Sequence, residues 1–186
     1  MWNLKVIGTG MDVYHLLTVF LIYSVLGWLV ESIYMSFCNK KLTNRGFAKG
    51  PFCPIYGFGA LIGYFVLSPL RKNLIALYLV GAILATTFEF LVGIGMKKLF
   101  GEVWWDYNDK PFNYRGLICL ESPLAWGVDA IIVVRFLHGS VLNVIDTHPA
   151  FFGRYLILFL YGVALVDYFI QISRVLHINW REKFRR

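Results

Sequence analysis

The feature that most constrains this chain is its series of long apolar runs. A helix needs about 17–25 predominantly apolar residues to cross the hydrocarbon layer of a bilayer. The runs that reach this length are residues 13–37, 52–70, 74–96, 117–138 and 151–175. The sequence therefore predicts an all-α, polytopic membrane protein, built as a bundle of five transmembrane helices in a single transmembrane domain that covers residues 1–186.

Composition supports lipid as the solvent of this chain. Hydrophobic residues make up 58% of the sequence and charged residues only 16%, whereas soluble domains carry about 25% charged residues. The net charge of +7 needs no nucleic acid as a partner, because a basic protein is attracted to the anionic lipids of the inner leaflet. We therefore expect membrane lipid as a partner and no nucleic acid. The three cysteines match no zinc-binding pattern, and we expect neither a metal nor a cofactor.

The distribution of lysine and arginine predicts the orientation, because cytoplasmic loops are enriched in these residues. With the N-terminus outside the cell, thirteen of the 18 basic residues fall on the cytoplasmic side. They are Lys40, Lys41, Arg45, Lys49, Lys97, Lys98, Lys110, Arg115, Arg174, Arg181, Lys183, Arg185 and Arg186. We predict a multi-pass protein of the cell membrane with a cytoplasmic C-terminus and two polar cytoplasmic loops.

Five acidic residues lie inside the predicted spans: Glu31, Glu89, Glu121, Asp129 and Asp167. A charged side chain in the middle of a bilayer costs at least about 2.5–3.5 kcal/mol on insertion scales, so a random scatter of five is implausible. With a helical rise of about 1.5 Å per residue, all of them except Asp129 lie about 6–12 Å below the cytoplasmic surface. We expect four carboxylates from four helices to share one layer.

Two segments carry polar residues that would meet these acids: NRGFAKGPFCPIYGFGA at 44–60 and YNDKPFNYRGLICLESPLAWG at 107–127. One interpretation is a set of structural ion pairs that fix the loops to the helices. The other, favoured by the variety of polar side chains, is a polar, acid-lined cavity open to the cytoplasm. Arginine suits a phosphate or a carboxylate, whereas clustered acids suit a cation or a proton. The predicted substrate-binding residues are Glu31, Asn44, Arg45, Glu89, Asp106, Asn113, Arg115, Glu121 and Asp167.

The two halves of the chain share a pattern. Each has an intramembrane glutamate, Glu31 or Glu89, then an Asn/Arg/Gly cluster, then a proline-opened helix with an aromatic residue and a glycine close behind. This pattern predicts an internal parallel repeat, as in some transporters, although short Gly/Pro matches also arise by chance. In the fifth helix, the spacing of Asp167, Gln171 and Arg174 predicts a polar stripe that faces the protein.

Small residues predict where helices approach closely, since association in lipid depends on packing rather than on the hydrophobic effect. Gly59 and Gly63 form a GxxxG pair, and Gly81 and Gly93 lie on one face of the third span. We interpret these glycines as packing positions. The scattered histidines match no metal motif, and we interpret those near span ends, such as His138, as residues of the membrane interface.

Several motifs together resemble a known family. They are GWLVESIY, NRGFAKGPFCPIYGFGA, FEF, WWDYNDKPFNYRGLICLESPLAWG and the helix that carries Asp167. In these stretches the chain resembles, from about Gly27 to Asp167, the bacterial family described as putative ABC-transporter permease, type IV (CmpB-like). The resemblance implies a multi-pass membrane protein with a permease role. Since the sequence has no phosphate-binding P-loop, an ATP-driven role would require a separate ATPase subunit, and the small size favours a homodimer.

Two functions are consistent with these features. The first is a small permease-like transport component, which the resemblance favours. The second is an intramembrane enzyme acting on a lipid or other amphipathic anionic substrate at the inner leaflet, with Glu31, Glu89 or Asp167 in acid–base chemistry and Arg45 and Arg115 on the headgroup. The apolar outer halves of the spans favour the enzyme, because transport needs a polar path through both leaflets. We place transport first and assign no catalytic residue.

Overall fold

The computed structural model describes residues 2, 4–6 and 10–183, without the side chains of 150 and 177–183. Of the basic residues used to predict the orientation, Arg181, Lys183, Arg185 and Arg186 lie outside the described residues or side chains. Within the described part the chain forms five helices, which confirms the all-α prediction. They are α1 (Val13–Asn39), α2 (Pro54–Leu67), α3 (Leu74–Phe100), α4 (Glu121–Thr147) and α5 (Ala150–Lys183).

Four of these helices are long and apolar enough to cross a membrane. The candidate spans are the whole of α1, α3 and α4 and the part of α5 from Phe151 to Leu176. The chain is therefore a multi-pass membrane protein. Helix α2 has 14 residues and is about 21 Å long, so even with the 3-10 turn Ser68–Leu70 it is shorter than the other helices. A fifth crossing by α2 stays a prediction.

Helix α4 differs most from the predicted span at 117–138. Residues ahead of it form a loop, in which Tyr114 pairs with Ile118, and the helix begins only at Glu121. It passes through a π-helical turn at Val133–Leu137 and then continues past His138 to Thr147. The apolar run predicts a boundary at His138, and the histidine is therefore interpreted as a residue of the membrane interface. The structure instead buries His138, at 1% exposure, against the ring of Tyr64 with 3.6 Å between ring centroids.

The chain divides into two compact units. The first consists of the residues up to Gly57 and those from His148 onward. In this unit α1 packs against α5, and the hydroxyl of Tyr161 donates a hydrogen bond of 2.9 Å to the carbonyl of Leu17. The ring of Phe20 lies 6.3 Å from that of Tyr161 in a stacked arrangement. Aromatic packing of this kind fixes how α5 lies on α1.

The second unit runs from Phe58 to Thr147. Its core consists of Leu67, Leu77, Ala130 and Val134, which come from α2, α3 and α4. Gly81 of α3 lies so close to Ala130 that a Cβ atom at Gly81 would overlap the alanine side chain. The absence of a side chain at this position lets the backbones of α3 and α4 approach each other.

The predicted packing glycines therefore separate into two groups. Gly81 and Gly93 are buried, and a Cβ at Gly93 would meet Leu117 at 3.1 Å and Trp105 at 3.2 Å. Gly63 has nothing within 4 Å, and Gly59 meets only the ring of Phe88 at ordinary contact distance. The packing prediction is confirmed for α3, whereas the GxxxG pair of α2 makes no close helix contact within the described residues.

We predict that Gly81→Val destabilises the protein more than Gly95→Val. Both substitutions place valine in α3, so their effects on helix propensity are similar, but Gly95 has nothing within 4 Å. Overpacking at Gly81 should lower the free energy of unfolding by about 1–3 kcal/mol relative to the Gly95 variant. Thermal unfolding of the detergent-solubilised chain measures this difference. Equal melting temperatures for the two variants would show that α3 and α4 do not pack at Gly81.

Candidate functional site

Glu31 of α1 lies at the centre of a polar cluster in the first unit. Its Oε1 accepts hydrogen bonds from Arg45, at 2.9 Å from Nε and 2.8 Å from Nη2. Its Oε2 accepts a hydrogen bond of 2.8 Å from the hydroxyl of Tyr56. The side chains of Arg45 and Glu31 are 20% and 24% exposed. This is the ion pair that the sequence predicted between an arginine of the first loop and an intramembrane acid.

The backbone around this cluster is fixed by α1. The N–H of Arg45 donates to Ser32 Oγ at 3.1 Å, and the ring of Tyr56 covers Gly27, where any Cβ would overlap it. Gly27 and Glu31 are four residues apart and share one helix face. The motif GWLVE therefore has a physical reason: the glycine makes room for the tyrosine ring, and the tyrosine hydroxyl then reaches the glutamate.

The same loop also contacts the acid of α5. Asp167 Oδ2 accepts a hydrogen bond of 2.7 Å from the N–H of Gly50, which confirms that the polar stripe of α5 faces the protein at this position. Asn44 accepts a hydrogen bond of 2.7 Å from the indole of Trp28 and donates one of 2.7 Å to the carbonyl of Lys49. In the first unit, the structure thus brings Glu31 and Arg45 into contact, and Asn44 and Asp167 each bond to the backbone of the loop that carries Arg45.

Glu89 of α3 has a comparable position in the second unit. It is 5% exposed, and its two oxygens accept hydrogen bonds of 3.0 Å from the hydroxyl of Tyr107 and 3.0 Å from the indole of Trp126. Tyr107 belongs to the loop before α4. Burial, together with the negative charge of Glu89, raises the pKa of the Tyr107 phenol above its usual value, so the hydroxyl remains a donor at neutral pH.

Two predicted residues of this loop organise the loop itself. Asp106 Oδ1 accepts hydrogen bonds from the backbone N–H of Asn108 at 2.9 Å and from its side-chain amide at 2.7 Å. Asn113 donates to the carbonyls of Asn108 and Lys110 at 3.0 and 2.9 Å. Neither side chain bonds to Glu89. Their role is to hold the loop that presents Tyr107.

Two further predicted residues are exposed. Arg115 lies with its guanidinium 5.3 Å from the ring centre of Tyr114, and no acid within the described residues pairs with it. The expectation that both loop arginines reach the acids is therefore met by Arg45 alone. Glu121 is the first residue of α4, is 59% exposed and pairs with Lys110 at 2.9 Å. Because the helix begins there, Glu121 lies at the end of the candidate span, whereas the sequence predicted a position four residues inside it.

The two clusters share one construction. Tyr56 and Trp126, which bond to Glu31 and Glu89, each precede a glycine shortly after the proline near the start of α2 or α4. The sequence pattern contained this signal, since the aromatic–glycine pair occurs in both segments, but neither residue was among the predicted site residues. The second donor differs, being Arg45 in one unit and Tyr107 in the other. A parallel repeat of the halves stays a prediction.

We predict that Tyr107→Phe lowers stability, because it removes a donor from the buried Glu89. Leaving a buried acceptor with one donor fewer costs about 1–3 kcal/mol. Tyr114→Phe is the matched control, since Tyr114 lies in the same loop and is 52% exposed. Thermal unfolding of both variants at neutral pH measures the effect. An equal, small change in both would show that the Tyr107 hydroxyl does not support Glu89.

We predict that only one of the three thiols reacts rapidly in the folded protein. Cys38 is exposed, whereas Cys53 and Cys119 are buried. Mass spectrometry after brief maleimide treatment in mild detergent should show one adduct, located on Cys38, and three adducts after denaturation. Rapid labelling of Cys53 in the folded chain would contradict the packing of the first loop on α1.

Comparison with known proteins finds one family. The family described as putative ABC-transporter type IV matches residues 18–172, which include both glutamate clusters and Asp167. No curated protein and no solved structure matches the chain.

Proposed function

The chain belongs to the family described as putative ABC-transporter type IV, and from this premise we propose that it is a small permease-like transport component with a polar, acid-lined cavity open to the cytoplasm. The observation that carries the proposal is the Glu31–Arg45–Tyr56 cluster. It pairs Glu31, which lies within a candidate span, with an arginine of the loop that follows. Charged groups inside membrane segments usually mark a substrate or ion path.

The Glu31–Arg45 pair suits the recognition of a charged substrate that replaces one partner of the ion pair. Arg45 offers planar N–H donors that match a carboxylate or a phosphate, and Glu31 offers oxygens to a cation or a proton. Separating a partly buried pair leaves each charge without its partner, which is costly. The pair therefore stays closed until a charged species replaces one partner, while Tyr56 keeps Glu31 in place.

A separate ATPase subunit is the second part of the proposal. The family name supports such a partner, and the chain has no nucleotide-binding P-loop of its own. Exposed basic residues at the end of α3, Lys97 and Lys98, and in the following loop, Arg115, supply a docking surface on the side predicted to be cytoplasmic.

A homodimer is the third part. Asp129 lies on α4 within a candidate span, is exposed, and makes no hydrogen bond or ion pair within the described residues. Acids in membrane segments almost always face protein or water. The exposure of Asp129 therefore supports the packing of a second copy of the chain on α4.

We predict that a ligand of the proposed cavity stabilises the wild-type chain but not Glu31→Gln or Arg45→Gln. The measurement is the melting temperature of the detergent-solubilised protein with inorganic phosphate, acetate, Na⁺, K⁺ or Mg²⁺ added one at a time at constant ionic strength. Glu121→Gln is the matched control: it removes a carboxylate from an ion pair too, but one exposed at 44% and 59% and worth at most about 1 kcal/mol.

The same experiment separates binding from folding. A probe that raises the melting temperature of the wild type and of Glu121→Gln, but not of the two cluster variants, supports binding at Glu31 and Arg45. That probe is then tested for uptake into proteoliposomes. If every probe acts equally on all four proteins, or if the cluster variants unfold without any probe ever binding to the wild type, the cluster is a structural ion pair and the proposal is wrong.

A further inference from the structure

A groove runs along the second half of α1, within the first unit. Its volume is about 700 Å³, within the range of about 300–1,000 Å³ that is typical of small-molecule sites. The apolar side chains of Leu29, Ile33, Phe37 and Leu42 line it, and Leu42 is 99% exposed. A surface of this kind favours an apolar occupant.

Hydrogen bonds hold the wall of the groove in place. The loop after α1 turns back along the helix, where the N–H of Thr43 donates to Ser36 Oγ at 2.9 Å and that of Arg45 to Ser32 Oγ at 3.1 Å. Ser36 in turn donates to the carbonyl of Ser32 at 2.6 Å. The groove is therefore formed before any occupant enters, which reduces the entropic cost of binding.

Charge is confined to one end of the groove. Helix α1 ends at Asn39, so the apolar positions from Leu29 to Phe37 extend about 3–15 Å below the helix end. Lys41 lines the groove at that end, and Lys40 immediately precedes it at the end of α1. Both lysines are exposed, and no acid within the described residues pairs with either of them. The surface is thus cationic at the end of the candidate span Val13–Asn39 and apolar along the span.

The backbone at Lys40 adds an independent observation. Lys40 ends α1 in the left-handed conformation, with φ 51°, where a residue with a side chain is strained and glycine is preferred. Helix α3 ends in the same conformation at Gly101. The chain thus carries a lysine where glycine would be easier to accommodate, so that Lys40→Gly removes the charge without straining the fold.

We propose that this groove is a binding site for an anionic phospholipid. Lys40 and Lys41 contact the phosphate-bearing headgroup, and an acyl chain lies along Leu29, Ile33 and Phe37. An anionic diacyl lipid combines a negative head with an apolar tail, as the groove requires, and is abundant in the inner leaflet. The site is separate from the Glu31 cluster and does not depend on the proposed transport function.

The test measures quenching of Trp28, which lines the groove, by brominated phosphatidylglycerol and brominated phosphatidylcholine. The protein is the full chain in bilayers of defined composition, and the Trp28 signal is the difference between each protein and its Trp28→Phe counterpart. We expect phosphatidylglycerol to be preferred by about fivefold for each lysine. The preference should fall to about one in Lys40→Gln/Lys41→Gln.

Two further variants separate binding from charge and from folding. Lys97→Gln/Lys98→Gln removes the same charge from the exposed end of α3 and should keep the preference. Lys40→Gly relieves the backbone at the helix end, so it should keep or raise the melting temperature while the preference decreases about fivefold. That combination cannot come from misfolding.

Several results would overturn the proposal. Equal quenching by both lipids in the wild type would show a groove without headgroup selectivity. Equal losses in the two double variants would show attraction by the whole charged surface. Absence of Trp28 quenching by either lipid would show that a second copy of the chain, or another protein surface, covers the groove.

Discussion

Lipid cannot solvate a carboxylate in a membrane segment, so the protein must supply hydrogen-bond donors, and this requirement determines how both units are built. In the first unit the donors of Glu31 are Arg45 and Tyr56. A loop must return to the helix to deliver Arg45, and Gly27 must lack a side chain so that Tyr56 can reach its partner. Irregular backbone at this depth is tolerated because it lies against protein.

In the second unit, Glu89 accepts two hydrogen bonds from neutral donors. Tyr107 and Trp126 bond to Glu89, which is 5% exposed, whereas Glu31 is 24% exposed and pairs with a guanidinium. Because the guanidinium at Glu31 is a charged partner that a substrate could replace, the Glu31 cluster supports the proposed exchange of charged species. Glu89 connects α3, its following loop and α4.

Hydropathy and helix geometry were sufficient to predict the five helices, although not the bounds of α4, because the cost of exposing backbone in lipid leaves few alternatives. They were also sufficient to identify Glu31 and Glu89, since acids are rare in apolar runs. The geometry of the loops could not be predicted from the sequence in the same way. Arg45 and Arg115 occupy similar sequence contexts, yet within the described residues Arg45 pairs with an acid, whereas Arg115 has a positive φ of 57° and lies over Tyr114. No periodicity in the sequence encodes such a turn.

Ser32 connects the two ligand-binding proposals of the first unit. Its hydroxyl accepts the N–H of Arg45, and the same residue lines the groove next to Asn44, which immediately precedes Arg45. An occupant of the groove therefore touches the segment that aims the guanidinium at Glu31. Two sites that share a segment influence each other only if their ligands favour different positions of that segment. Ser32 and Ser36 hold the loop in one position. This limits how strongly a lipid in the groove can alter the Glu31–Arg45 pair.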